Sequence, residues 1–384
     1  MPFHLKPYLL TLLLAVAEAA TVAKNAYNCT SFIVQVPVDN VTVVVPPLPP
    51  FTDQHVATSF ANLITEELML PQDISGSPNL STLTTSFNIS AEYCTPAKSG
   101  PKASTLQILT HGLGFNRTYW DFYLPSAPNN AQYSYTNTAT GAGYSTLSWN
   151  RLGHPPTTLA NPYTQIQATV ELAVLIGLTT LVRAGNVTQV PKPQKVIHVG
   201  HSWGSELSNA LAATTPTLSD GVVLTGYSHQ DMFNALFIAS TGLRFINQNQ
   251  PARFPNSFLT WPDKYANQYS FLEYPYFDDN VLDYAESNKW PFTLGEFLSA
   301  ALIPSQAPNF KGPVLYVAAE ADLIFCASNC TTLFGPTSLE VAAFNGSSSV
   351  ETYIQPNVGH GINLHYNATG AYNVIMNWAS SHGF

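Results

Sequence analysis

Between Ser31 and Val45 apolar and polar residues alternate, with Phe32, Val34, Val36 and Val38 in one phase and Val41, Val43 and Val45 in the other. Alternation with a period of two marks a half-buried strand. The change of phase predicts two short strands joined by a turn at Asp39–Asn40. Pro46 to Pro50 ends the pair, because proline brings no amide hydrogen to a ladder. Helical spacing over Phe51 to Leu70 follows (Phe60, Leu63, Ile64 and Leu68), and Thr82 to Cys94 alternates again. Beyond Pro101 the pattern changes to short apolar runs of buried-strand type at Leu106 to Thr110, Tyr144 to Trp149, Val196 to Val199, Gly221 to Thr225, Pro313 to Ala319 and Ser349 to Ile354. Helical patterns lie among them. One begins at Asn161-Pro162, carries Ile166, Val170, Val174, Leu178 and Leu181 on one face and stops at Gly185; another covers Ser205 to Leu211, and a last one Tyr372, Ile375, Met376 and Trp378. Strands that alternate with helices predict an α/β fold with a parallel sheet covered on both faces. The alternation fails between Tyr227 and Phe310, a stretch dense in aromatic residues and too long for an unstructured loop. It reads as a mostly helical insertion.

Composition narrows the class. Of 384 residues 45% are apolar, enough for a large core, and only 10% are charged; ordinary soluble domains carry about 25%. The formal net charge is -9 with no basic cluster, which disfavours nucleic acid and anionic membranes as partners. At the start of the chain Lys6 precedes the apolar run Tyr8 to Val16 and the small-x-small triplet Ala17-Glu18-Ala19. That is the layout of a secretory signal peptide, too short for a stable membrane anchor. The expected division is a signal peptide at 1–20, a core at 21–226 and 311–384, and a cap or lid at 227–310. A secreted, extracellular destination makes disulfides the expected state of Cys29, Cys94, Cys326 and Cys330. Three pairings are open, and the simplest joins Cys29 to Cys94 and Cys326 to Cys330. Sequons begin at Asn28, Asn40, Asn79, Asn88, Asn116, Asn186, Asn329, Asn345 and Asn367. N-glycans there would solubilise a surface short of charge.

Candidate chemistry centres on Gly200-His201-Ser202-Trp203-Gly204, which follows one apolar run directly and opens a helical one. Strand, Gly-x-Ser-x-Gly and helix in succession are the signature of a nucleophile elbow, a strained turn that lifts the Ser202 hydroxyl clear of the sheet. A serine hydroxyl needs a base, and the base needs an orienting group. In an open parallel sheet such groups collect beyond the carboxyl ends of the strands. After Pro313 to Ala319 comes Asp322 as the orienting acid, with Glu320 and Asp231 as alternatives. After the last strand comes His360 as the base, with His365 as its alternative and a partner-helix or surface role for His365 otherwise. An oxyanion would be held by the backbone amides of Trp203, at a helix start, and of Leu113 in His111-Gly112-Leu113-Gly114, with Gly114 as the second choice.

These motifs in this order resemble the α/β-hydrolase superfamily over about Leu106 to Phe384. The chain looks most like secreted fungal-type serine hydrolases of the esterase/lipase-like kind. The resemblance implies a mostly parallel central sheet flanked by helices, with a helical cap inserted after the sixth strand. It assigns Ser202 as nucleophile, His360 as base, Asp322 as acid, and Leu113 and Trp203 as oxyanion amides, without cofactor or metal. The implied reaction is cleavage of a carboxylic ester or lactone through an acyl-enzyme, and the aromatic insertion suggests a small apolar or aromatic substrate. The same triad could serve transacylation, perhydrolysis or cyanohydrin cleavage, and a non-catalytic binding protein on this fold is the remaining reading. Two departures matter. His-Gly-Leu-Gly replaces the three-glycine loop of many lipases, which speaks against bulky tertiary-alcohol esters. Serine at the elbow speaks against epoxide-hydrolase and dehalogenase chemistry, which uses a carboxylate there.

Overall fold

The computed structural model describes residues 27–45, 53–67, 79–124, 131–230, 234–248, 250, 253–255 and 257–384. The predicted signal peptide at 1–20, Leu68 and Asp231 lie outside them. Ten strands are described: β1 (Tyr27–Val45), β2 (Asn79–Pro96), β3 (Thr105–Thr110), β4 (Ser145–Trp149), β5 (Lys195–His201), β6 (Gly221–Thr225), β7 (Arg244–Phe245), β8 (Leu259–Thr260), β9 (Val314–Ala319) and β10 (Val350–Gln355). Eight form one sheet in the order β1-β2-β4-β3-β5-β6-β9-β10. Pairing is antiparallel for β1 with β2 and β2 with β4, and parallel from β4 to β10. Every residue of β3, β4, β6 and β9 is buried, as a sheet covered on both faces requires.

Helices α1 (Gln54–Glu67), α2 (Tyr135–Gly141), α3 (Ala168–Ala184) and α4 (Trp203–Thr214) belong to the first half. The insertion carries α5 (Asn234–Thr241), α6 (Lys264–Phe271), α7 (Asp279–Ser287) and α8 (Leu294–Ser299), with β7 and β8 as a two-stranded sheet of their own. Short α9 (Leu323–Cys326) and α10 (Leu339–Ala343) precede the closing α11 (Ala368–Ser381). The fold is thus an α/β-hydrolase fold with the insertion after β6. Among the described residues no helix is long and apolar enough to cross a membrane.

Two local expectations need correction. The phase change at Asp39–Asn40 is not a turn between two strands. β1 runs through it, and its register against β2 shifts between Val38 and Val41 with Asn40 at φ 51°. A bulge flips the side-chain phase as well as a turn does and leaves the strand continuous. The long helix starts at Ala168, not at Asn161. The Asn161 side chain accepts from the Tyr163 and Thr164 amides in a turn, and Gln167 spends its side chain on both backbone groups of Val44 in β1. Gly185 does end that helix in the left-handed conformation.

Both disulfides follow the simplest pairing. Cys29 and Cys94 stand opposite each other on β1 and β2 with Cα atoms 4.1 Å apart, and Cys326 closes a short loop to Cys330.

Candidate active site

Ser202 sits between β5 and α4 at φ 54°, ψ -121°, a strained backbone for a residue with a side chain. Its own amide donates to the Thr225 carbonyl at 2.9 Å, and its carbonyl accepts from Ser205 and Glu206 at 2.7 and 3.1 Å. The flanking glycines are required by proximity. A Cβ on Gly200 would lie 2.3 Å from the Gly204 carbonyl oxygen, and one on Gly204 would lie 2.0 Å from that of Thr110. Strand β5, helix α4 and the end of β3 therefore meet at a spot that admits backbone only.

The acid and the base come from the next two strand ends. Asp322 caps α9 with Oδ1, which accepts from the Ile324 and Phe325 amides, and its Oδ2 accepts from His360 Nδ1 at 2.7 Å. The carboxylate thereby sets the tautomer, with the proton on Nδ1 and the lone pair on Nε2. His360 Nε2 is buried and makes no hydrogen bond. The imidazole lies between Phe325 and Phe271, whose ring centroids are 5.6 and 5.7 Å away, and 4.9 Å from the His201 ring beside Ser202. The Cys326–Cys330 loop is tied to the acid, since the amides of Cys326 and Ser328 both donate to the Asp322 carbonyl.

The alternatives are engaged elsewhere. Glu320 accepts from the Asn357 amide. His365 is fully buried rather than a surface residue. Its Nδ1 donates to the Gly361 carbonyl, and its Nε2 accepts from the amides of Gly359 and Glu273. It therefore braces the loop that carries His360 and ties that loop to the insertion. Burial holds it neutral, with its pKa pushed down to about 4.

The amide side of the site is as firmly built. His111 Nε2 accepts from the Arg151 amide, so the ring proton is on Nδ1, which donates to the Gly112 carbonyl at 2.9 Å. Arg151 Nη2 reaches the same carbonyl at 3.3 Å. The two ends of a trans peptide point in opposite directions, so drawing the Gly112 carbonyl toward Arg151 aims the Leu113 N–H away from it. On the other side, a Cβ on Gly112 would lie 2.9 Å from Ser202 Cβ. Trp203 opens α4, and the first amides of a helix have no partner within it. Gly114 carries a different load, since its carbonyl accepts from Trp290 of the insertion.

Beneath these amides is a fully buried ion cluster. Arg151 Nη1 donates to both oxygens of Glu171 and to Glu296 on α8, and Glu171 also accepts from the Trp203 indole at 2.7 Å. Burial, and after it the neighbouring Glu296, push the Glu171 carboxyl upward against the pull of Arg151. No motif in the sequence marks these residues as part of the site. One signal was legible: in a chain with 10% charged residues, Arg151 lies two positions past the end of β4, beside the other strand-end loops.

Tyr119 stacks on His201 at 4.5 Å, and Phe115 and Phe271 meet edge to face over the site at 5.2 Å. Ser202 is 9% exposed and His360 1%. A cavity of about 380 Å³ opens at His360, lined among others by Tyr265, Tyr269, Tyr274 and Phe271, and Ser202 is not in its lining. Among the described residues the one cluster of metal-type ligands, Cys29, Glu92 and Cys94, has both its sulfurs in a disulfide.

The model of the alpha/beta hydrolase family matches residues 107–370, and the chain belongs to that family. No curated protein sequence matches it. Among solved structures it is similar to the BpoC protein from Mycobacterium tuberculosis H37Rv, at 14% identity, 77% of this chain, 97% of that one and TM-score 0.50. It is also similar to an alpha/beta hydrolase fold protein from Chitinophaga pinensis, at 12% identity, 78% and 94% coverage and TM-score 0.49. A monoacylglycerol lipase from Paleococcus ferrophilus aligns at 17% identity, 75% and 98% coverage and TM-score 0.47. At 14% identity the likeness to the BpoC protein speaks for the fold alone.

Proposed function

We propose that the protein is a secreted serine hydrolase that cleaves a small carboxylic ester or lactone through an acyl-enzyme. The observation that carries this reading is the Asp322–His360 hydrogen bond, which leaves a buried Nε2 lone pair open on a ring 4.9 Å from that of His201, the residue that precedes the strained Ser202. In this reading Ser202 Oγ attacks the carbonyl carbon as its proton passes to His360 Nε2. The imidazolium is held by Asp322, and the oxyanion by the amides of Leu113 and Trp203. Collapse expels the alcohol oxygen, which takes the proton from His360. Water then repeats the sequence on the acyl group and releases the acid. The missing Ser202–His360 hydrogen bond is compatible with an unliganded site, where such bonds are often long and tighten around substrate.

An apolar or aromatic acyl group suits the aromatic surroundings, since Phe271 lines the cavity at His360 while Phe115 and Tyr119 pack against His201. Secretion is supported by the leader-like first twenty residues, by two disulfides, and by sequon asparagines that are exposed except for the half-buried Asn116. Fluorophosphonate labelling tests the chemistry. The wild-type protein should be labelled and turn over p-nitrophenyl esters, and Ser202→Ala should lose both. Labelling that persists in Ser202→Ala would remove the nucleophile from this account.

A further inference from the structure

Both amides assigned to the oxyanion lead back to one buried group. The Gly112 carbonyl, whose peptide carries the Leu113 N–H, accepts from Arg151 Nη2, while the Arg151 amide fixes the His111 ring that holds the same carbonyl. The Trp203 indole donates to Glu171, which is paired with Arg151 Nη1. The third member, Glu296, belongs to the insertion. It pairs with Arg151 through one oxygen and uses the other to accept from the amide of Thr293 at 2.6 Å, in the capping box of α8. The helix so anchored is docked on the core, since Ser299 Oγ accepts from the Ala168 amide at the start of α3 and Gly295 donates to the Pro162 carbonyl. Arg151 and Glu171 are 0% exposed and Glu296 is 1% exposed.

A hydrophobic contact of similar volume generally serves stability at least as well as a buried ion cluster. What the cluster supplies beyond packing is direction: the planar guanidinium holds both carboxylates on Nη1 and the Gly112 carbonyl on Nη2. We propose that Arg151, Glu171 and Glu296 are the positioning group of the oxyanion site, setting the Leu113 and Trp203 amides together and only while α8 is seated on the core. The inference rests on the proposed acyl-transfer reading and deepens it. None of the three touches substrate. They act through Gly112 and Trp203.

The test compares two inhibitors on the full-length protein, a trifluoromethyl ketone and the secondary alcohol of the same skeleton. Ser202 adds to the ketone carbon, the hydroxyl proton goes to His360, and the resulting oxyanion uses both amides. The alcohol binds without forming one. In Arg151→Lys, Glu171→Gln and Trp203→Phe, kcat should fall about tenfold or more, with KM within about twofold. The ketone should weaken by the same factor as kcat, and the alcohol should not weaken. Glu296→Gln should act in the same direction through α8, and it and Trp203→Phe carry the test if Arg151→Lys does not fold. Equal weakening of ketone and alcohol, or an unchanged kcat in folded variants, would overturn the positioning role while leaving Ser202 in place. Failure of the wild-type protein to bind the ketone or to take a fluorophosphonate would overturn the nucleophile and this inference together.

Discussion

The two sides of Ser202 are built on opposite principles. On the acid–base side, Asp322 and His360 stand on loops after β9 and β10, and their hydrogen bonds leave one buried nitrogen, His360 Nε2, with no partner. On the amide side, the loop after β3 and the start of α4 rest on His111 and on the Arg151 cluster, and the Gly112 carbonyl has two donors. A group that must accept and return a proton needs a vacant site. A group that must present dipoles without moving gains from a firmly held carbonyl, since preorganised donors need no rearrangement as charge develops; of the Arg151 side-chain nitrogens only Nε lacks a partner. His365 makes the same point from within the acid–base side. It has Nδ1 paired like His360, but two amides occupy its Nε2, so it can brace and cannot act as a base.

The contrast can be broken from either side. The largest effect is expected for Asp322→Asn, whose Oδ1 can still cap α9 while its amide NH2 faces His360 Nδ1 and selects the wrong tautomer. By analogy with such exchanges in serine hydrolases kcat should fall about 10³–10⁴-fold with the fold intact, read from ester turnover and circular dichroism. An activity within tenfold of wild type would remove Asp322 from the triad. Next is Gly112→Ala, where the new Cβ would crowd Ser202 Cβ at 2.9 Å. A displaced amide loop should lower kcat about 10²-fold, and a wild-type rate would show that the loop yields.

His365→Ala leaves the buried amide of Gly359 and the part-buried amide of Glu273 without their acceptor. Each stranded donor costs about 1–3 kcal/mol, so a chemical melt should show a loss of roughly 2–6 kcal/mol for the two. The fall in kcat should be smaller than for either substitution above. An unaltered melt would mean that the two amides find other acceptors.

The last effect is on stability alone and is spread over the whole fold: pH dependence. Burial holds His154 and His198 down to about 3 and His229 and His365 to about 4, and it lowers His111 and His201 well below the ordinary range. In the unfolded chain each would bind a proton below about pH 6.5. Below that pH the unfolded state therefore holds more protons, so stability rises with pH there and is lost as pH falls from about 6.5 toward 4. Each histidine contributes up to about 1.4 kcal/mol per pH unit. Melting temperature measured between pH 7 and 4.5 should drop steeply from near 6. A flat profile to 4.5 would mean that these rings are protonated in the folded state.

Much of this was legible in the chain. Buried strands announce themselves as short apolar runs because both faces of the sheet are covered, and the glycines around Ser202 announce a turn because only backbone fits there. The bulge at Asn40 looks like a turn in the sequence because a period-two pattern records a change of phase and not its cause. The start of α3 was misplaced because Gln167 bonds β1, a partner more than a hundred residues away. The burial of His365 is invisible in the sequence, because a solitary histidine gives no local sign of it.

The sequence alone determined the order of strands and helices, the elbow, and the candidate acid and base, since each rests on short-range sterics or on a position just past a strand. Tertiary structure decided which nitrogen stays open and what aims the amides. It also joined Arg151, Glu171 and Glu296, which come from the end of β4, from α3 and from the insertion. Those outcomes depend on hydrogen bonds between segments 20 to 145 residues apart. A buried charge accepts whichever partner the packing brings to it, and no local pattern in the chain records that choice.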